Sequence, residues 1–436
     1  MPTTPTYNLG AIMRETDLNA DTLRAWERRY NLPQPTRSKG GQRLYCQRDL
    51  DMLKWLIEKQ ETGLRISQAA ELWHKQVKSG LDPLAGGSQT EESAISGKNL
   101  SVYREQWVSA CLAFNESKAE QTLAEAFSLY PPETVCFDVL FAGLSAMGDS
   151  WYQGEITVQQ EHFASSLAAR RLHALISGAP PPIRPERIVI AAPTEEVHIL
   201  PSLLITYLLR RRGWHVVYLG ADVPLDNFRS TIEGLQPDLV ILIAHQLFTA
   251  ASLLDLSNAL AELPVALAFG GLIYNRIPGL QKVTPGHYLG DDLKNAAPNI
   301  EQLLHNPNGK FSAMPSAASP YLQEFQIAMP LIESRISNKI QHKPEMKGAN
   351  SRYLSRDILA ALRLGELSFL SSDLTWIRGL LSNLKTPDHL LQEYLQIYSQ
   401  AVEETLGSQG APVLNWLEGG INTLAKNNSP ELEKTS

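Results

Sequence analysis

Length, composition and charge narrow the class of this protein before any motif is considered. The chain has 436 residues, more than a single domain usually holds, and its 43% hydrophobic and 19% charged residues are typical of folded, soluble domains. No apolar run approaches the ~18–20 residues of a membrane span, and the N-terminus has no apolar signal-peptide core. We therefore expect a multidomain, cytoplasmic protein that does not contact a membrane.

The net charge of −7 is unevenly distributed. Residues 1–75 carry twelve Lys and Arg against nine Asp and Glu, so this segment is positive although the whole chain is acidic. Such a segment confines the attraction for phosphate groups to one end of the chain. Three cysteines at unrelated spacings indicate neither a disulfide framework nor a cysteine zinc site.

Clusters of Gly, Ser and Pro divide the chain into four blocks. We predict a flexible linker over 79–99, a Pro-rich joint over 177–185 and a polar break over 306–320. The predicted domains are therefore 1–78, 100–177, 186–305 and 320–425. Their patterns indicate a multidomain α and α/β protein: a small helical domain with a turn, a helical bundle, a doubly wound parallel sheet and an all-α domain.

The first block predicts a DNA-binding domain. A small core is expected from Leu9, Ile12, Leu18, Leu23 and Trp26. Asn19 is a suitable N-cap for a helix from Ala20 to Tyr30, which exposes Thr22, Arg24 and Arg28 to the major groove. Arg37, Lys39 and Arg43 bracket Gly40–Gly41, as in a hairpin wing that follows the phosphate backbone.

This block resembles the MerR family. TLRAWERRYNLPQP followed by RSKGGQRLYCQRDLDML is similar to that family's TLR-x-W-E-R-R-Y-G-L-x-x-P and R-x-x-G-G-x-R-x-Y-x-x-x-D, with Asn31 in place of the usual Gly. The resemblance implies a winged helix-turn-helix that binds a double-stranded DNA operator. The DNA-binding residues expected from both arguments are Thr22, Arg24, Arg28, Arg37, Lys39, Arg43 and Tyr45.

In the third block, strands alternate with helices. RIVIAAP, HVVYLGA, DLVILIA and VALAFGG are short apolar runs with β-branched residues, as buried parallel strands require. PTEEVHILP follows the first of them, so His198 stands at the carboxyl end of a strand, where open sheets bind ligands. A neutral imidazole oriented by a neighbouring carboxylate can coordinate a metal, although a solvated histidine is the commoner case.

The order EEVH, GADVP, FGG and GHYLGDDL resembles the vitamin B12-binding domain, which has a Rossmann-like fold. The second block, with WYQGEITVQQEHFASS, resembles the four-helix cap of CarH/LitR-type regulators. The resemblance implies that Trp151 covers the upper face of the corrin, that Glu161 and His162 face an adenosyl group, and that His198 is the lower cobalt ligand. The implied cofactor-binding residues are Trp151, Val158, Glu161, His162, Glu196, His198, Gly220, Asp222, Gly270 and Gly271.

Three positions depart from the B12 pattern. Pro201 replaces a Gly near which the nucleotide tail is expected. The Ser that is usual in the loop after the next strand is missing, and Ile243, Ala244 and His245 stand there instead. This change narrows the slot for the nucleotide base of the cofactor or removes a hydrogen bond to that base. Tyr152 stands where light-sensing members have a His, so trapping of a light state by an imidazole is not expected there.

The last block is helical, and the shorter photoreceptor-type regulators lack it. Its aromatic residues, Trp376, Tyr394, Tyr398 and Trp416, lie among leucines at helical spacing, which favours a bundle core or a self-association surface. The alternative is a second pocket for a linear tetrapyrrole such as biliverdin, with His389 and Arg378 as polar contacts.

The preferred hypothesis is a transcriptional regulator, not an enzyme. Adenosylcobalamin or a related corrinoid would control its self-association as a dimer or tetramer and thereby its operator binding, with light that cleaves the cobalt–carbon bond as a candidate second signal. One alternative is a regulator that has lost corrin and acts through protein contacts or another ligand. A corrinoid methyltransferase or mutase module is the other, against which the first block argues.

Overall fold

In the computed structural model of the chain, residues 7–16, 18–37, 43–61, 66–78, 92–305, 319–343, 346, 351–371, 378–379 and 387–428 are described. The chain divides into two compact units, Met1–Asn99 and Leu100–Ser436. None of the described helices combines the length and the apolar character that crossing a membrane requires.

The described part of the first unit, up to Lys78, forms a small antiparallel sheet and four helices. Its elements are β1 Tyr7–Asn8, α1 Leu9–Thr16, α2 Ala20–Tyr30, β2 Thr36–Arg37, β3 Arg43–Tyr45, α3 Gln47–Glu61 and α4 Ile66–Lys78. The strand order is β1-β3-β2, and β2 pairs with β3 so that Arg37 lies opposite Arg43. The turn between these strands, with Lys39 and Gly40–Gly41, lies outside the described residues.

Helix α2 begins and ends at the predicted residues, and a capping residue explains each end. The Asn19 side chain accepts a hydrogen bond of 2.8 Å from the backbone N–H of Thr22, which caps the N-terminus. Asn31 ends the helix in the left-handed conformation with φ of 57°, as expected for its replacement of Gly. Ile12, Leu23 and Trp26 form part of the core, while Leu9 and Leu18 pack at its edge, so the predicted core is confirmed.

A bundle of helices precedes the parallel sheet. Its helices are α5 Glu92–Leu112, α6 Glu116–Leu129, α7 Pro132–Val135, α8 Ala142–Tyr152 and α9 Val158–Ser177, and the π-helical stretch Cys136–Phe141 joins α7 to α8. Helix α5 begins at Glu92, inside the segment predicted as a linker. That prediction was wrong over 92–99, because the helix that includes Leu100 begins before this residue.

Five parallel strands form the central sheet in the order β5-β4-β6-β7-β8. They are β4 Arg187–Pro193, β5 His215–Val223, β6 Leu239–Ile243, β7 Ala266–Gly270 and β8 His287–Tyr288, and the last was not predicted. The helices between and after them are α10 Leu200–Arg211, α11 Phe228–Leu235, α12 Leu247–Leu260, α13 Leu272–Arg276 and α14 Leu293–His305. The predicted doubly wound parallel sheet is confirmed, with the flavodoxin-like strand order.

Alternate residues of the strands face two different helical layers. On one side, Ile188 and Ile190 pack with the helical bundle, α10 and α14. On the other side, Val189 and Ala191 pack with α11, α12 and α13. Both faces are therefore covered, which explains why the strands are apolar throughout rather than alternating.

The C-terminal helices extend the second of these layers. They are α15 Leu322–Ile340, α16 Ser351–Leu364, α17 Asp388–Leu406 and α18 Ala411–Asn428, and the predicted all-α character is confirmed. Their buried residues, such as Ile336 and Leu395, belong to the same core cluster as Leu253 of α12. The C-terminal helices are therefore packed on the α/β domain and share its core.

Gly271 is required by the close approach of two loops at the carboxyl edge of the sheet. Its φ of 126° and ψ of 162° are accessible to Gly almost alone. A Cβ atom at this position would lie 1.8 Å from the carbonyl oxygen of Ala244, which follows β6. Any side chain at this position would force the loop after β7 away from the loop after β6.

We predict that Gly271→Ala lowers the free energy of unfolding by about 3 kcal/mol, because backbone strain and steric overlap add. Gly234→Ala is the matched control, since no atom lies within 4 Å of the added Cβ in α11. The control should change stability by about 1 kcal/mol or less and in the stabilising direction. Urea denaturation monitored by circular dichroism measures both, and equal stability of the two variants would contradict the prediction.

Candidate functional site

Glu196 organises the loop that follows β4. Its side chain is buried and accepts four hydrogen bonds. Oε1 accepts from the backbone N–H of His198 at 2.9 Å and lies 2.6 Å from Nδ1 of the same residue. Oε2 accepts from the backbone N–H of His245 at 2.6 Å and from the hydroxyl of Thr249 at 2.7 Å. One carboxylate thus joins the β4 loop, the β6 loop and the first turn of α12.

These contacts also set the protonation of Glu196. Burial by itself would raise the pKa of this carboxyl group, but the hydrogen bonds from His198 and Thr249, together with the nearby His245, lower it to about 2. Glu196 is therefore a carboxylate at neutral pH. Its Oε1 can accept the Nδ1 proton of His198, which fixes the tautomer and leaves Nε2 of His198 with a lone pair.

His198 presents its ring towards solvent from this loop. Half of the side chain is exposed, at 50%. The hydrogen bond to Glu196 raises the pKa of His198 against the effect of burial, and the charges of Glu196 and Glu161 act in the same direction. A half-exposed imidazole with one nitrogen held by a carboxylate is the arrangement that metal-binding histidines use.

The first turn of α9 lies within electrostatic range of this histidine, since the charge of Glu161 acts on its pKa. Glu161 accepts a hydrogen bond from Ser165, and its second oxygen lies 2.8 Å from Nδ1 of His162. The ring of His162 is exposed, as is Val158 at the start of the helix. Trp151 is half-buried in the last turn of α8. Glu161 of the helical bundle therefore acts electrostatically on the predicted cobalt ligand.

The carboxyl end of β5 supports the β4 loop. Asp222 adopts a positive φ of 55°, and its side chain accepts a hydrogen bond of 2.8 Å from the backbone N–H of Glu195. Its own N–H donates to the carbonyl of Glu196. Gly220, with φ of 92°, lies where the register between β4 and β5 shifts. Asp222, predicted as a cofactor residue, thus holds the His198 loop in place.

The positions that depart from the B12 pattern have clear structural roles. Pro201 lies in the first turn of α10, where its missing N–H is not needed. Ile243 and Ala244 are buried in the core. His245 accepts a hydrogen bond at Nδ1 from the backbone N–H of Leu272 at 3.3 Å, and its ring centroid is 5.6 Å from that of His198. Burial lowers the pKa of His245 to about 4, so its ring is neutral at pH 7.

The C-terminal helices contact the same loop. The guanidinium group of Arg356 in α16 forms an ion pair of 3.0 Å with Glu195, and it stacks 3.7 Å from the ring centroid of Phe248. In the described segment 378–379, a Cβ on Gly379 would lie 1.9 Å from the hydroxyl of Tyr152. C-terminal residues therefore reach both the His198 loop and the end of α8. No local pattern marks Arg356 as part of the site, because its partner Glu195 lies far away along the chain.

The aromatic residues of the C-terminal block act mainly as core. Tyr398 is fully buried and shares a 2.7 Å hydrogen bond with Ser355, while the ring of Tyr394 lies 6.3 Å from it. Trp416 is half-buried against the same cluster. His389 is exposed and Arg378 is half-buried, and Trp376 lies outside the described residues. For Tyr394, Tyr398 and Trp416, the structure bears out the simpler interpretation, a bundle core.

In the first unit, helix α2 exposes Arg24 and Arg28, and Thr22 is half-buried. Arg43 forms an ion pair of 2.9 Å with Glu27, which attaches β3 to α2. The structure places Tyr45 in the core with 1% of its surface exposed, so its side chain is not available to DNA in this conformation. The side chain of Arg37 and the whole of Lys39 lie outside the described residues.

We predict that Glu196→Gln lowers the free energy of unfolding by about 2 kcal/mol. The NH₂ group of the amide cannot accept a hydrogen bond, so one of the buried groups that donates to Glu196 would lose its acceptor. Glu195→Gln, one residue earlier and half-exposed, is the control. It weakens one partly exposed ion pair, so the expected loss of stability is about 1 kcal/mol or less. The midpoint of urea denaturation is measured for each variant. A Glu196→Gln variant that is as stable as Glu195→Gln would refute the role of the carboxylate.

Comparisons with known proteins match two segments of the chain to known domains. Residues 7–76 match the family described as MerR HTH family regulatory protein, and residues 103–176 match a B12 binding domain. The HTH-type transcriptional repressor CarH of Myxococcus xanthus is 31% identical over 265 residues, which cover 61% of this chain and 86% of CarH. CarA of the same organism is 30% identical over 274 residues, covering 61% of this chain and 87% of CarA.

Among solved structures, the Methanosarcina barkeri monomethylamine corrinoid protein is similar with a TM-score of 0.42 and 17% identity, covering 47% of this chain and 99% of that one. The identification rests instead on the match to CarH, which extends over most of that protein, and on the two matched domains. The chain belongs to the family of MerR-type transcriptional regulators that carry a B12-binding domain.

Proposed function

We propose that this regulator binds an operator through its first unit and that a corrinoid, with adenosylcobalamin as the preferred form, controls that binding. The observation that carries the proposal is His198: its Nδ1 is held by a buried carboxylate, its ring is half-exposed, and Glu161 lies within electrostatic range. These residues fit a flat ring held between an imidazole below and the cap above.

Each residue of the site has a distinct part in this proposal. His198 would hold the cobalt, Glu196 would orient its imidazole, and Trp151 would lie against the corrin ring. Glu161 and His162, at the start of α9, would contact the ligand from the helical bundle. When bound, an adenosylated corrinoid supplies a cobalt–carbon bond that light can break, which makes light a signal in addition to the ligand itself.

We further propose that control of operator binding acts through self-association. A single winged helix contacts few phosphates and binds weakly, whereas two paired heads bind with the gain of a high effective concentration. A symmetric homo-oligomer, a dimer or tetramer, would then read an operator with symmetric half-sites. The DNA-binding head favours this regulatory role over corrinoid-dependent catalysis.

We predict that full-length protein incubated with adenosylcobalamin in the dark retains a corrinoid absorption spectrum after gel filtration. His198→Ala should weaken binding by at least about tenfold, since the axial bond is lost. His173→Ala, on the exposed side of α9, is the control and should bind as the unchanged protein does. No corrinoid spectrum with the unchanged protein would favour the alternative of a regulator that works through protein contacts or another ligand.

We also predict that Arg24→Ala combined with Arg28→Ala abolishes the gel shift of a duplex selected from a random pool with the unchanged protein. Both side chains are exposed on α2, so their removal should leave the fold intact. Arg170→Ala combined with Arg335→Ala removes the same charge from helices of the second unit and should keep the shift. A full shift with the α2 variant would refute the proposed reading face.

A further inference from the structure

Helix α16, one of the C-terminal helices, runs alongside α12. Its Arg356 stacks 3.7 Å from the ring centroid of Phe248, in the first turn of α12. Two turns further along both helices, Arg363 forms an ion pair with Asp255. The two helices therefore run in the same direction. Because α12 begins just after β6, Arg356 lies at the end of α16 that is near the carboxyl edge of the sheet.

Arg356 contacts the loop after β4 as well as α12. Its guanidinium group forms an ion pair of 3.0 Å with Glu195, which directly precedes Glu196 in the chain. Phe248, on which it stacks, directly precedes Thr249, whose hydroxyl donates to Glu196. Arg356 therefore touches the preceding neighbour of each partner in the Glu196–Thr249 hydrogen bond. It joins from the outside the same two elements that this buried hydrogen bond joins from within.

The backbone of Glu195 is held in an unusual conformation. Its φ of 66° lies in the left-handed region, which costs free energy for a residue that carries a side chain. Its N–H donates to the side chain of Asp222, and its carboxylate pairs with Arg356. Glu195 stands three positions before His198, so a change in its backbone torsion would displace the imidazole of His198.

An arginine on α16 is suited to this support. A planar guanidinium group can pair with a carboxylate at its edge while its face stacks on an aromatic ring. Ile358 and Ala361 of the same helix are buried in the core that α16 shares with α12, so the position of Arg356 is set by packing. Its side chain is 28% exposed. This anchoring lowers the entropy that the ion pair loses when it forms, compared with a pair between two solvated side chains.

We propose that Arg356 is a positioning residue of the candidate site: it holds the loop after β4 in the geometry in which His198 binds a corrinoid. The C-terminal helices thereby take part in ligand binding, in addition to forming a bundle core. The inference rests on the proposed function, in which His198 would hold the cobalt.

The first measurement is the affinity of the full-length protein for hydroxocobalamin, obtained from absorbance titrations. Arg356→Glu replaces attraction to Glu195 with repulsion and should raise the dissociation constant at least about tenfold. Adding Glu195→Arg to this variant restores an ion pair of reversed polarity and should recover most of the affinity. Arg352→Glu is the control, since it makes the same charge change one turn earlier in α16, at a side chain that is 77% exposed. It should change the dissociation constant by about twofold or less.

Electron paramagnetic resonance of bound cob(II)alamin tests whether the imidazole of His198 is the group that moves. When the histidines of the protein are labelled with ¹⁵N, an imidazole on cobalt splits the signal into doublets, whereas the unlabelled base of the cofactor gives triplets. The unchanged protein should give doublets, and Arg356→Glu should lose them in part. A residue that only stabilises the fold would leave this pattern unchanged in the folded protein.

Glu195→Gln separates ligand positioning from stability. This variant is expected to remain nearly as stable as the unchanged protein, yet it should weaken hydroxocobalamin binding about threefold. It also keeps the test decisive if Arg356→Glu does not fold.

The outcomes distinguish this inference from the proposed function. If folded Glu195→Gln or Arg356→Glu binds hydroxocobalamin as tightly as the unchanged protein, the inference is wrong, while corrinoid binding stands. A folded double variant that regains no affinity also overturns the inference, because the ion pair would then not be the cause. If the unchanged protein binds no hydroxocobalamin, both proposals fail.

Discussion

The buried carboxylate of Glu196 is the interaction on which the candidate site depends. It satisfies donors from His198, His245 and Thr249, which belong to two loops and a helix. A carboxylate taken out of water is costly unless its lone pairs are satisfied, and here four hydrogen bonds meet this requirement. The same contacts that make its burial tolerable fix the tautomer of His198 and the position of His245. Stability and ligand geometry are therefore coupled at one side chain.

The central sheet connects this site to two helical layers. The helical bundle covers one face and brings Glu161 towards His198, while α12 and the C-terminal helices cover the other face. Arg356 extends the second layer to the His198 loop through Glu195 and Phe248. A displacement of the His198 loop can therefore be transmitted to both helical layers, because packed interiors transmit small displacements. The additional C-terminal helices are in contact with the ligand loop and do not form a separate appendage.

Local sequence was enough to predict many of the elements. Asn19 and Asn31 define the ends of α2 because capping depends on residues within one turn. The apolar strands β4 to β7 were recognised since burial on both faces leaves no alternation. Strand β8 was missed because two residues, His287 and Tyr288, carry no periodic signal. Tyr45 was assigned to DNA from its motif position, whereas its ring belongs to the core of the first unit.

By itself, the sequence determined the winged-helix head, the order of strands and helices, and the resemblance that nominated His198. These follow from spacing along the chain and from short motifs. Only the tertiary structure decided what surrounds that histidine: the four hydrogen bonds that Glu196 accepts, the hydrogen bonds of Asp222 to the same loop, the neighbouring ring of His245, and the ion pair between Arg356 and Glu195. The reason is that all of these contacts except the two hydrogen bonds from His198 to Glu196 join residues far apart in sequence, and no local pattern specifies which distant loops a fold brings together.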